Sequence, residues 1–394
     1  MNFAWMRRID LYAGKPLVRF IGLFIRRPKS LYGDVHPASV PERIICAKFI
    51  GLGSVVLSLP LLKALREKGA KVAFWSFPGQ AELARLSGHV DEVWVIKPTF
   101  KEFLPSLIKS LMQARKFRAN AYLDLEPTAN FTALLGVLSG VRHRVGFMSA
   151  KPFREGLFTH LVALTSDRHM IENCLTIGRS IGLAYGVTAE LPEPPEFLQK
   201  IQNVVPIRPK AKDIIINVNS SDLSWHRMWP EKNWISVCLE LLKDPTVRLI
   251  FPGTKSEAGR VRGVIETLSG RCNPDDLKRI TNVSGQTTLP ELMKLLQDAA
   301  LVMSVDSGIM HLAAWMNVPL IGFFGPETPS LFGPKSNKAK VLWAQLPCSP
   351  CLSVAADKIT QCRDNQCMKR ISAELAIFTA RTMLYDVKKT SAAI

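Results

Sequence analysis

The chain has 394 residues, of which 47% are hydrophobic and 21% charged, so it is no charge-driven disordered polymer and can bury a large core. Its 51 Lys and Arg against 33 Asp and Glu give a formal charge of +18, which favours anionic partners such as nucleic acid, anionic lipid or phosphorylated substrates. Eight cysteines are too sparse for a disulfide scaffold, and no apolar run approaches the roughly 20 residues of a spanning helix, so we expect a cytoplasmic protein.

Residues 1–40 form a basic N-terminal arm with seven basic and two acidic residues. Leu17, Phe20, Ile21 and Phe24 follow helical spacing and would share one face. A short basic amphipathic helix of this kind can lie in a bilayer interface. The alternative is an ordinary helix that packs on the body of the protein.

Residues 41–195 alternate short apolar runs with helical patterns. This alternation favours βαβ units and a parallel sheet that is covered on both faces. The predicted strands are residues 43–49, 71–77, 92–96 and 121–125. The predicted helices are residues 55–68, 80–86, 100–116 and 131–138.

A proline-rich stretch at residues 191–195 (LPEPP) predicts a linker, after which the alternation restarts in residues 196–370. A last helix, 372–387, lies in residues 371–394. We therefore predict an α/β protein with two Rossmann-like, doubly wound domains that face a central cleft. The predicted strands of the second domain are residues 213–218, 247–251, 300–305 and 318–324. Its predicted helices are residues 231–243, 256–268, 289–298 and 309–316.

The sharpest motif is SVDSGIMHLA at residues 304–313, where an apolar strand passes through a polar turn into a helix. The unpaired N–H groups and positive dipole of a helix start suit a diphosphate. Asp306 could hold sugar hydroxyls. Ser307 and the amide of Gly308 could donate to phosphate, and His311 could reach the same anion. The alternative is that Asp306 or Ser307 only caps the helix.

Two other strand-to-helix loops carry polar or small residues. Ser220, Ser221 and Arg227 could form a second phosphate clamp, or an ordinary surface loop before a Trp-Pro helix start. Gly51 and Gly53 in GLGS allow the backbone to approach a ligand closely. That run is neither a dinucleotide fingerprint nor a P-loop, and a tight turn is its alternative reading.

Two carboxylates, Asp124 and Glu126, stand at the end of a first-domain strand. Residues at i and i+2 of a strand point to the same face, so either carboxylate could face the cleft as a general base. Helix capping near Pro127 is the alternative. We treat both residues as catalytic candidates.

Four cysteines in the second domain follow the spacing C-x2-C-x10-C-x4-C. Four thiols in so short a segment resemble a structural zinc ribbon in number, although the spacing is not a standard one. Reduced thiols or a loop disulfide are the alternatives. The four residues are Cys348, Cys351, Cys362 and Cys367.

Taken in order from about Arg43 to Arg381, these motifs resemble the bacterial heptosyltransferase family, glycosyltransferase family nine. KFIGLGSVVLSLPLLKAL matches its first-domain turn, and LDLEPTANFTALLGVLSGVRHRVGF its middle strand and helix. The loop at residues 227–230 matches its second-domain start. The most specific pieces are D-S-G-x-x-H-L-A at residues 306–313 and P-x-x-x-x-F-G-P at residues 319–326.

The resemblance implies a GT-B fold, with the nucleotide-diphosphate sugar held by the second domain and the acceptor by the first. It implies inverting, metal-independent transfer, with no cofactor needed for catalysis, of a heptose or related sugar from an ADP-sugar. The acceptor would be a phosphorylated glycolipid, a lipopolysaccharide core or similar, at the cytoplasmic face of the inner membrane. No nucleic-acid motif is recognisable. The donor site would fall on Ser220, Ser221, Arg227, Asp306, Ser307, Gly308 and His311.

The sequence departs from the family pattern at Ser54, where members commonly carry the Asp that is presumed to deprotonate the acceptor. A serine of ordinary pKa accepts a proton poorly at neutral pH, so we nominate Glu126 as the base. Arg227 stands where many members carry Lys, which we regard as tolerable. The alternative function is a catalytically weak nucleotide-sugar-binding protein with a regulatory or assembly role.

Overall fold

The computed structural model describes residues 10–22, 39–149, 152–202, 205, 211–220, 224–354 and 358–385. The chain divides into two compact units, of which the first ends at Pro192 and the second begins at Glu193. Val354 and Lys358 return to the first unit. Among these described residues, no helix has both the length and the apolar character needed to cross a membrane.

The first unit contains a six-stranded parallel sheet of order β3-β2-β1-β4-β5-β6. A π-helical turn, Asp10–Gly14, precedes its first helix. Its strands are β1 (Arg43–Ala47), β2 (Lys71–Ser76), β3 (Glu92–Val95), β4 (Ala121–Asp124), β5 (His143–Phe147) and β6 (His160–Val162). Its helices are α1 (Lys15–Gly22), α2 (Leu52–Val56), α3 (Leu59–Glu67), α4 (Pro78–Leu86), α5 (Phe103–Phe117), α6 (Asn130–Leu138), α7 (Pro152–Glu155) and α8 (Met170–Arg179).

The second unit contains another six-stranded parallel sheet, of order β12-β11-β10-β7-β8-β9. Short 3-10 turns lie at Glu196–Lys200 and Trp225–Arg227. Its strands are β7 (Lys212–Asn217), β8 (Val247–Phe251), β9 (Ile280–Asn282), β10 (Leu301–Val305), β11 (Leu320–Phe324) and β12 (Ala339–Trp343). Its helices are α9 (Glu231–Leu242), α10 (Ala258–Ser269), α11 (Pro274–Leu277), α12 (Leu289–Gln297), α13 (Gly308–Trp315), α14 (Pro329–Phe332), α15 (Gln366–Lys369) and α16 (Ala373–Tyr385).

The central strands are apolar along almost their whole length because helices cover both faces of each sheet. Every residue of β10 is buried, as is every residue of β8 and β11. In each unit the strand order reverses once, between β1 and β4 and between β7 and β10. Ligands of doubly wound sheets bind where the strand order reverses, beyond the carboxyl ends of the strands. The prediction of an α/β chain with two Rossmann-like, doubly wound units is thus confirmed. Each unit has one position of this kind.

Several predicted elements were wrong in detail. The helix predicted at residues 55–68 is two helices, α2 and α3, because the chain turns at Leu57 and Ser58 and Pro60 stands in the first turn of the second helix. Four strands and five helices were not predicted. The strands are β5, β6, β9 and β12, and the helices are α7, α8, α11, α14 and α15.

The described part of the N-terminal arm packs on the body of the first unit, and of the described members of the predicted face only Ile21 packs against the cluster there. Val18 is 1% exposed and packs with Leu134 and Phe158, whereas Leu17 and Phe20 are 47% and 61% exposed. Phe24, the last member of the predicted face, lies outside the described residues. The helix α1 is therefore both a packed helix and the carrier of an outward apolar side.

Two histidines are neighbours at one end of the first sheet, where His143 begins β5 and His160 begins β6. Their ring centroids are 4.2 Å apart. Burial lowers the pKa of His143 to about 4, and the neighbouring His160 and Arg144 act in the same direction. Burial also lowers the pKa of His160. The folded chain therefore holds this pair neutral at neutral pH.

Acidification is expected to destabilise the chain through His143. The unfolded imidazole takes up a proton near pH 6.5, but the folded one does so only near about pH 4. The unfolded state binds more protons between these values, so the free energy of unfolding falls as the pH drops through this window. Urea midpoints measured at about pH 7 and about pH 5 should fall less for His143→Phe than for the unchanged chain. Equal losses would contradict this role for the histidine.

Candidate functional site

The predicted donor residues of the second unit meet where its strand order reverses. Asp306 comes directly after β10, and Ser220 follows the neighbouring strand β7. Both loops therefore lie at the carboxyl edge of the sheet, which is where doubly wound sheets bind their ligands. Ser221, which was predicted to accompany Ser220, lies outside the described residues.

An ion pair joins the two loops at this edge. Arg227 Nη1 donates to Asp306 Oδ2 at 3.2 Å, and both side chains are less than a tenth exposed. His311 Nε2 lies 3.9 Å from the other carboxylate oxygen, Asp306 Oδ1. The structure thus brings together the predicted cation, carboxylate and histidine, although the two loops are about 80 residues apart in sequence.

The guanidinium of Arg227 is only partly used by this pair. Its Nε is buried and has no hydrogen-bond partner among the described residues. The same holds for both polar side-chain atoms of Asn219, a buried residue directly before Ser220 that was not among the predicted donor residues. Buried polar groups are usually paired, and groups left over at a cleft are suited to a ligand. The sequence signal for Asn219 was its position at the start of the polar loop that continues with Ser220 and Ser221.

Ser307 is the N-cap of α13. Its Oγ accepts a hydrogen bond from Met310 N at 3.4 Å and another from Asn217 Nδ2 at 2.9 Å. The capping alternative therefore describes the side chain of Ser307 in this structure. Ser220 is also engaged locally, since its Oγ donates to Ser224 O at 2.9 Å. Direct phosphate contacts from these two hydroxyls stay predictions, while the N-terminus of α13, which begins at Gly308, points into the same edge.

The loop that carries Arg227 is braced by the cysteine-containing segment. His226 Nε2 lies 2.7 Å from Cys362 O. Asn365 Nδ2 donates to His226 O at 3.2 Å and to Met228 O at 2.9 Å. These contacts on both sides of Arg227 fix the backbone from which its guanidinium projects.

In the first unit, Glu126 lies just beyond the carboxyl ends of the paired strands β1 and β4. Its carboxylate accepts hydrogen bonds from Lys48 Nζ at 2.9 Å, Phe49 N at 2.7 Å and Ile50 N at 2.6 Å. Glu126 and Lys48 are both buried. The nominated base thus lies beside the predicted first turn, and its two oxygens are occupied by three donors. Lys48 was missed because its partner is 78 residues away in sequence.

Asp124 lies deeper than Glu126 and is fully buried. Arg154 Nη2 and Thr132 Oγ1 each donate to Asp124 Oδ2 at 2.8 Å, and Glu126 N donates to Oδ1 at 2.9 Å. Burial raises the pKa of Asp124 to about 6, against the opposing charge of Arg154. Asp124 therefore forms a fully buried ion pair with Arg154. Because Asp124 has no exposed oxygen, the structure gives its predicted catalytic role no support, and that role stays a prediction.

The first-domain turn brings the backbone close to the helix start. Gly51 has φ +82°, in the left-handed region that favours glycine. A Cβ at this position would lie 3.1 Å from Ser54 Oγ. Ser54 and the buried Gly53 belong to α2. The turn therefore places Ser54, on α2, close in sequence and space to Ile50. The backbone amide of Ile50 donates a hydrogen bond to Glu126.

The four predicted zinc ligands are not arranged as a metal site. In the part of the chain that the structure describes, no group of three or more His, Cys, Asp or Glu side chains is placed to hold a metal ion. Cys362 Sγ donates to Asp364 O at 3.1 Å, and Cys348 is exposed. Burial, with the nearby Cys351, Cys362 and Cys348, raises the pKa of the Cys367 thiol to about 11. The four thiols are therefore near one another but do not form a ligand set as they lie here.

Comparison with known proteins gives a matching family and several relatives. The family model of glycosyltransferase family 9 (heptosyltransferase) matches residues 112–359. Lipopolysaccharide heptosyltransferase 2 of Escherichia coli K12 is 25% identical over 230 residues, which is 55% of this chain and 63% of that protein. Lipopolysaccharide heptosyltransferase 1 of E. coli O18:K1:H7 is 22% identical over 309 residues, 74% of this chain and 88% of that protein. The match to the first of these relatives thus spans less than two thirds of its length.

Solved structures show the same fold. E. coli ADP-heptose lipopolysaccharide heptosyltransferase II superposes with a TM-score of 0.68 at 17% identity, covering 88% of this chain and 99% of that one. An E. coli heptosyltransferase solved with ADP gives 0.65 at 16% identity, covering 86% and 99%. TibC, an iron-containing dodecameric glycosyltransferase of enterotoxigenic E. coli, gives 0.54 at 13% identity, covering 90% and 78%.

Proposed function

The chain belongs to glycosyltransferase family 9, the heptosyltransferase family, and we propose that it transfers a heptose or related sugar from an ADP-sugar to a lipopolysaccharide core or similar envelope glycolipid. The observation that carries this proposal is the buried Arg227–Asp306 pair beside the N-terminus of α13, at the reversal of strand order. The names of the relatives, which act on lipopolysaccharide, and the ADP in one solved structure support the choice of substrates.

The second unit would bind the donor through fixed positive charge. Arg227 and the N–H groups at the start of α13 would hold the diphosphate, since guanidinium groups and helix N-termini both bind phosphate oxygens. Asp306, held by Arg227, would accept hydrogen bonds from sugar hydroxyls. His311 would contact the diphosphate. As the bond to the sugar breaks, these groups would stabilise the charge on the leaving ADP.

The first unit would supply the acceptor and the base. In an inverting transfer an acceptor oxygen forms a bond to the anomeric carbon while the bond from that carbon to the diphosphate oxygen breaks. The acceptor proton passes to a base, and we propose Glu126 for that role because Ser54 occupies the position of the family's usual Asp. Lys48 uses one acceptor position of Glu126 Oε2, and the Phe49 and Ile50 amides use Oε1. A carboxylate has about four such positions, so the acceptor hydroxyl would approach the remaining one on Oε2.

Incubation of the purified chain with ADP-heptose and lipopolysaccharide that lacks heptose tests this function. We expect formation of ADP together with a heptosylated acceptor, which mass spectrometry detects. ADP-heptose binding with no ADP release and no modified acceptor would instead support the alternative, a catalytically weak nucleotide-sugar-binding protein. Preferential thermal stabilisation by ADP over UDP and GDP checks the choice of nucleotide, because ligands that bind the native state raise its melting temperature.

Metal content is a separate proposal that concerns structure rather than catalysis. Thiolates are suitable zinc ligands, and a metal would require Cys348, Cys351 and Cys362 to move toward Cys367. If zinc is bound, metal analysis should find about one per chain, and Cys362→Ser should lose it while Cys238→Ser, a buried thiol away from this segment, retains it. The same analysis detects iron. Zinc far below one per chain in the unchanged protein would refute the zinc proposal.

We also propose that the protein works at the cytoplasmic face of the inner membrane as a peripheral protein, because a lipid-linked acceptor is confined to a bilayer. The formal charge of +18 would favour an anionic surface. The exposed side of α1, with Leu17 and Phe20, supports contact with lipid by part of the N-terminal arm.

A further inference from the structure

The helix α5 carries an apolar stripe on its outer side. Its inner side packs on the first sheet through residues that include Ala114 and Phe117. Leu104, Ile108 and Met112 nevertheless point outward, with 60%, 48% and 61% of their surface exposed. Residues four apart on a helix lie one above the other, so these three form a continuous row. Phe100, 90% exposed, extends the row just before the helix begins.

The charges around this row are almost all positive. Residues 100–118 contain five basic residues and one acidic residue, Glu102. Glu102 is paired with Lys97, with Nζ and Oε1 at 2.6 Å. Lys109 and Lys116 are exposed on α5, and no acidic residue occurs within the helix. An apolar row flanked by cations is the pattern of helices that lie in the interface of an anionic bilayer.

A second outward apolar side lies in the same layer of helices. On one side α6 contacts α5, since the rings of Phe103 and Phe131 lie 6.0 Å apart and Arg115 Nε donates to Leu138 O at 3.2 Å. The helix α6 also contacts α1, through the cluster that contains Val18. The two helices that carry these exposed apolar residues are therefore both packed against α6.

We propose that this surface, formed by the Phe100–Leu104–Ile108–Met112 row of α5 together with α1, docks the first unit on an anionic phospholipid bilayer. The row would insert among the acyl chains, while Lys109 and Lys116 contact lipid phosphates. The inference rests on the proposed function only for its purpose, which is to bring the first unit to a lipid-linked acceptor. The row on α5 is a second lipid-contacting surface beside the N-terminal arm. The amphipathic spacing in residues 1–40 does not predict it.

Co-sedimentation with phosphatidylglycerol-containing vesicles, without any sugar donor, tests the surface. The variant Leu104→Ser/Ile108→Ser/Met112→Ser should bind these vesicles about tenfold more weakly than the unchanged chain, and Lys109→Gln/Lys116→Gln should reduce the salt-sensitive part of binding. The matched control is Leu375→Ser/Phe378→Ser, which removes two residues on α16 that are 48% and 69% exposed. The control should bind as the unchanged chain does. Neutral phosphatidylcholine vesicles should bind all of them weakly.

Three results would overturn the proposal: full vesicle binding by the triple-serine variant, equal loss in the α16 control, or a dimer of the unchanged chain that the triple variant converts to monomer without any effect on vesicles. The last result would make the row a contact between copies. Retained ADP binding and an unchanged melting temperature show that the triple variant is folded. Transfer to a delipidated, water-soluble acceptor should also be unchanged in it. If the proposed function is wrong, no variant will transfer the sugar. Vesicle binding can still depend on the row of α5 in that case.

Discussion

Replacing Arg227 by glutamine is expected to lower kcat/KM for the sugar donor by on the order of 10²–10³-fold, the range seen when one preorganised charge-stabilising group is removed from an active site. The guanidinium is buried, donates to Asp306 at 3.2 Å and keeps a buried Nε without a partner among the described residues. It therefore has donor capacity that a diphosphate can use. Steady-state kinetics with ADP-heptose, together with ADP titration calorimetry, measure the loss.

The second unit offers a closely matched control in Arg248→Gln. Arg248 is also a buried arginine paired with an aspartate, since its Nε donates to Asp213 Oδ1 at 2.6 Å. This pair lies at the amino ends of β7 and β8, the opposite edge of the sheet from Arg227. Both substitutions remove a buried guanidinium from an ion pair, although Asp213 is 21% exposed, and both should destabilise the fold. Equal losses of ADP affinity in the two variants would show that Arg227 acts only through stability.

The variant Glu126→Gln is expected to lose most turnover, on the order of 10²–10⁴-fold, while donor binding is spared. The neutral amide can neither accept the acceptor proton nor satisfy Lys48 Nζ and the Phe49 and Ile50 amides as the carboxylate does. ADP affinity should be unchanged because the donor residues belong to the second unit. Turnover equal to that of the unchanged chain would end the nomination of Glu126.

The pH dependence of the residual rate separates two roles of Glu126. Loss of a general base removes the acidic limb of the pH–rate profile, whereas loss of a residue that only positions the first turn lowers the rate at every pH alike. The matched control is Asp91→Asn, because Asp91 Oδ2 also accepts from a backbone amide, Val72 N, at 2.8 Å and its other oxygen pairs with Arg66. Asp91 lies at the amino edge of the same sheet, so its loss should leave turnover unchanged.

The sequence was informative where buried strands are long and apolar. Strands such as β1 and β10 read as continuous apolar runs because helices cover both faces of the sheet that contains them. The missed strands are short or partly exposed. β6 (HLV) and β9 (ITN) have three residues each, and β12 (AKVLW), at the end of its sheet, has only one buried residue of five. Such segments are strands because of their neighbours, which no local pattern records.

The candidate site also contains residues that a local pattern predicts and pairs that only the fold brings together. Asp306 and Arg227 were predictable because each lies in a polar loop between a strand and a helix. The pairing of Lys48 with Glu126 depends on β1 and β4 being neighbours, so residues 78 apart in sequence meet. The pairing of Asp124 with Arg154, 30 residues later, joins the end of β4 to the helix that follows β5, the strand paired with β4. The outward row on α5 was missed for a different reason. A helix that is apolar on two sides gives no clean amphipathic pattern until its packed side is known.

A crystal structure of the chain with ADP tests the central claim most directly. We predict that the diphosphate lies against the first turn of α13, with Gly308 N and the Arg227 guanidinium within hydrogen-bond distance of its oxygens. Nucleotide bound elsewhere on the chain, or a first turn of α13 filled by protein side chains with ADP present, would contradict the account.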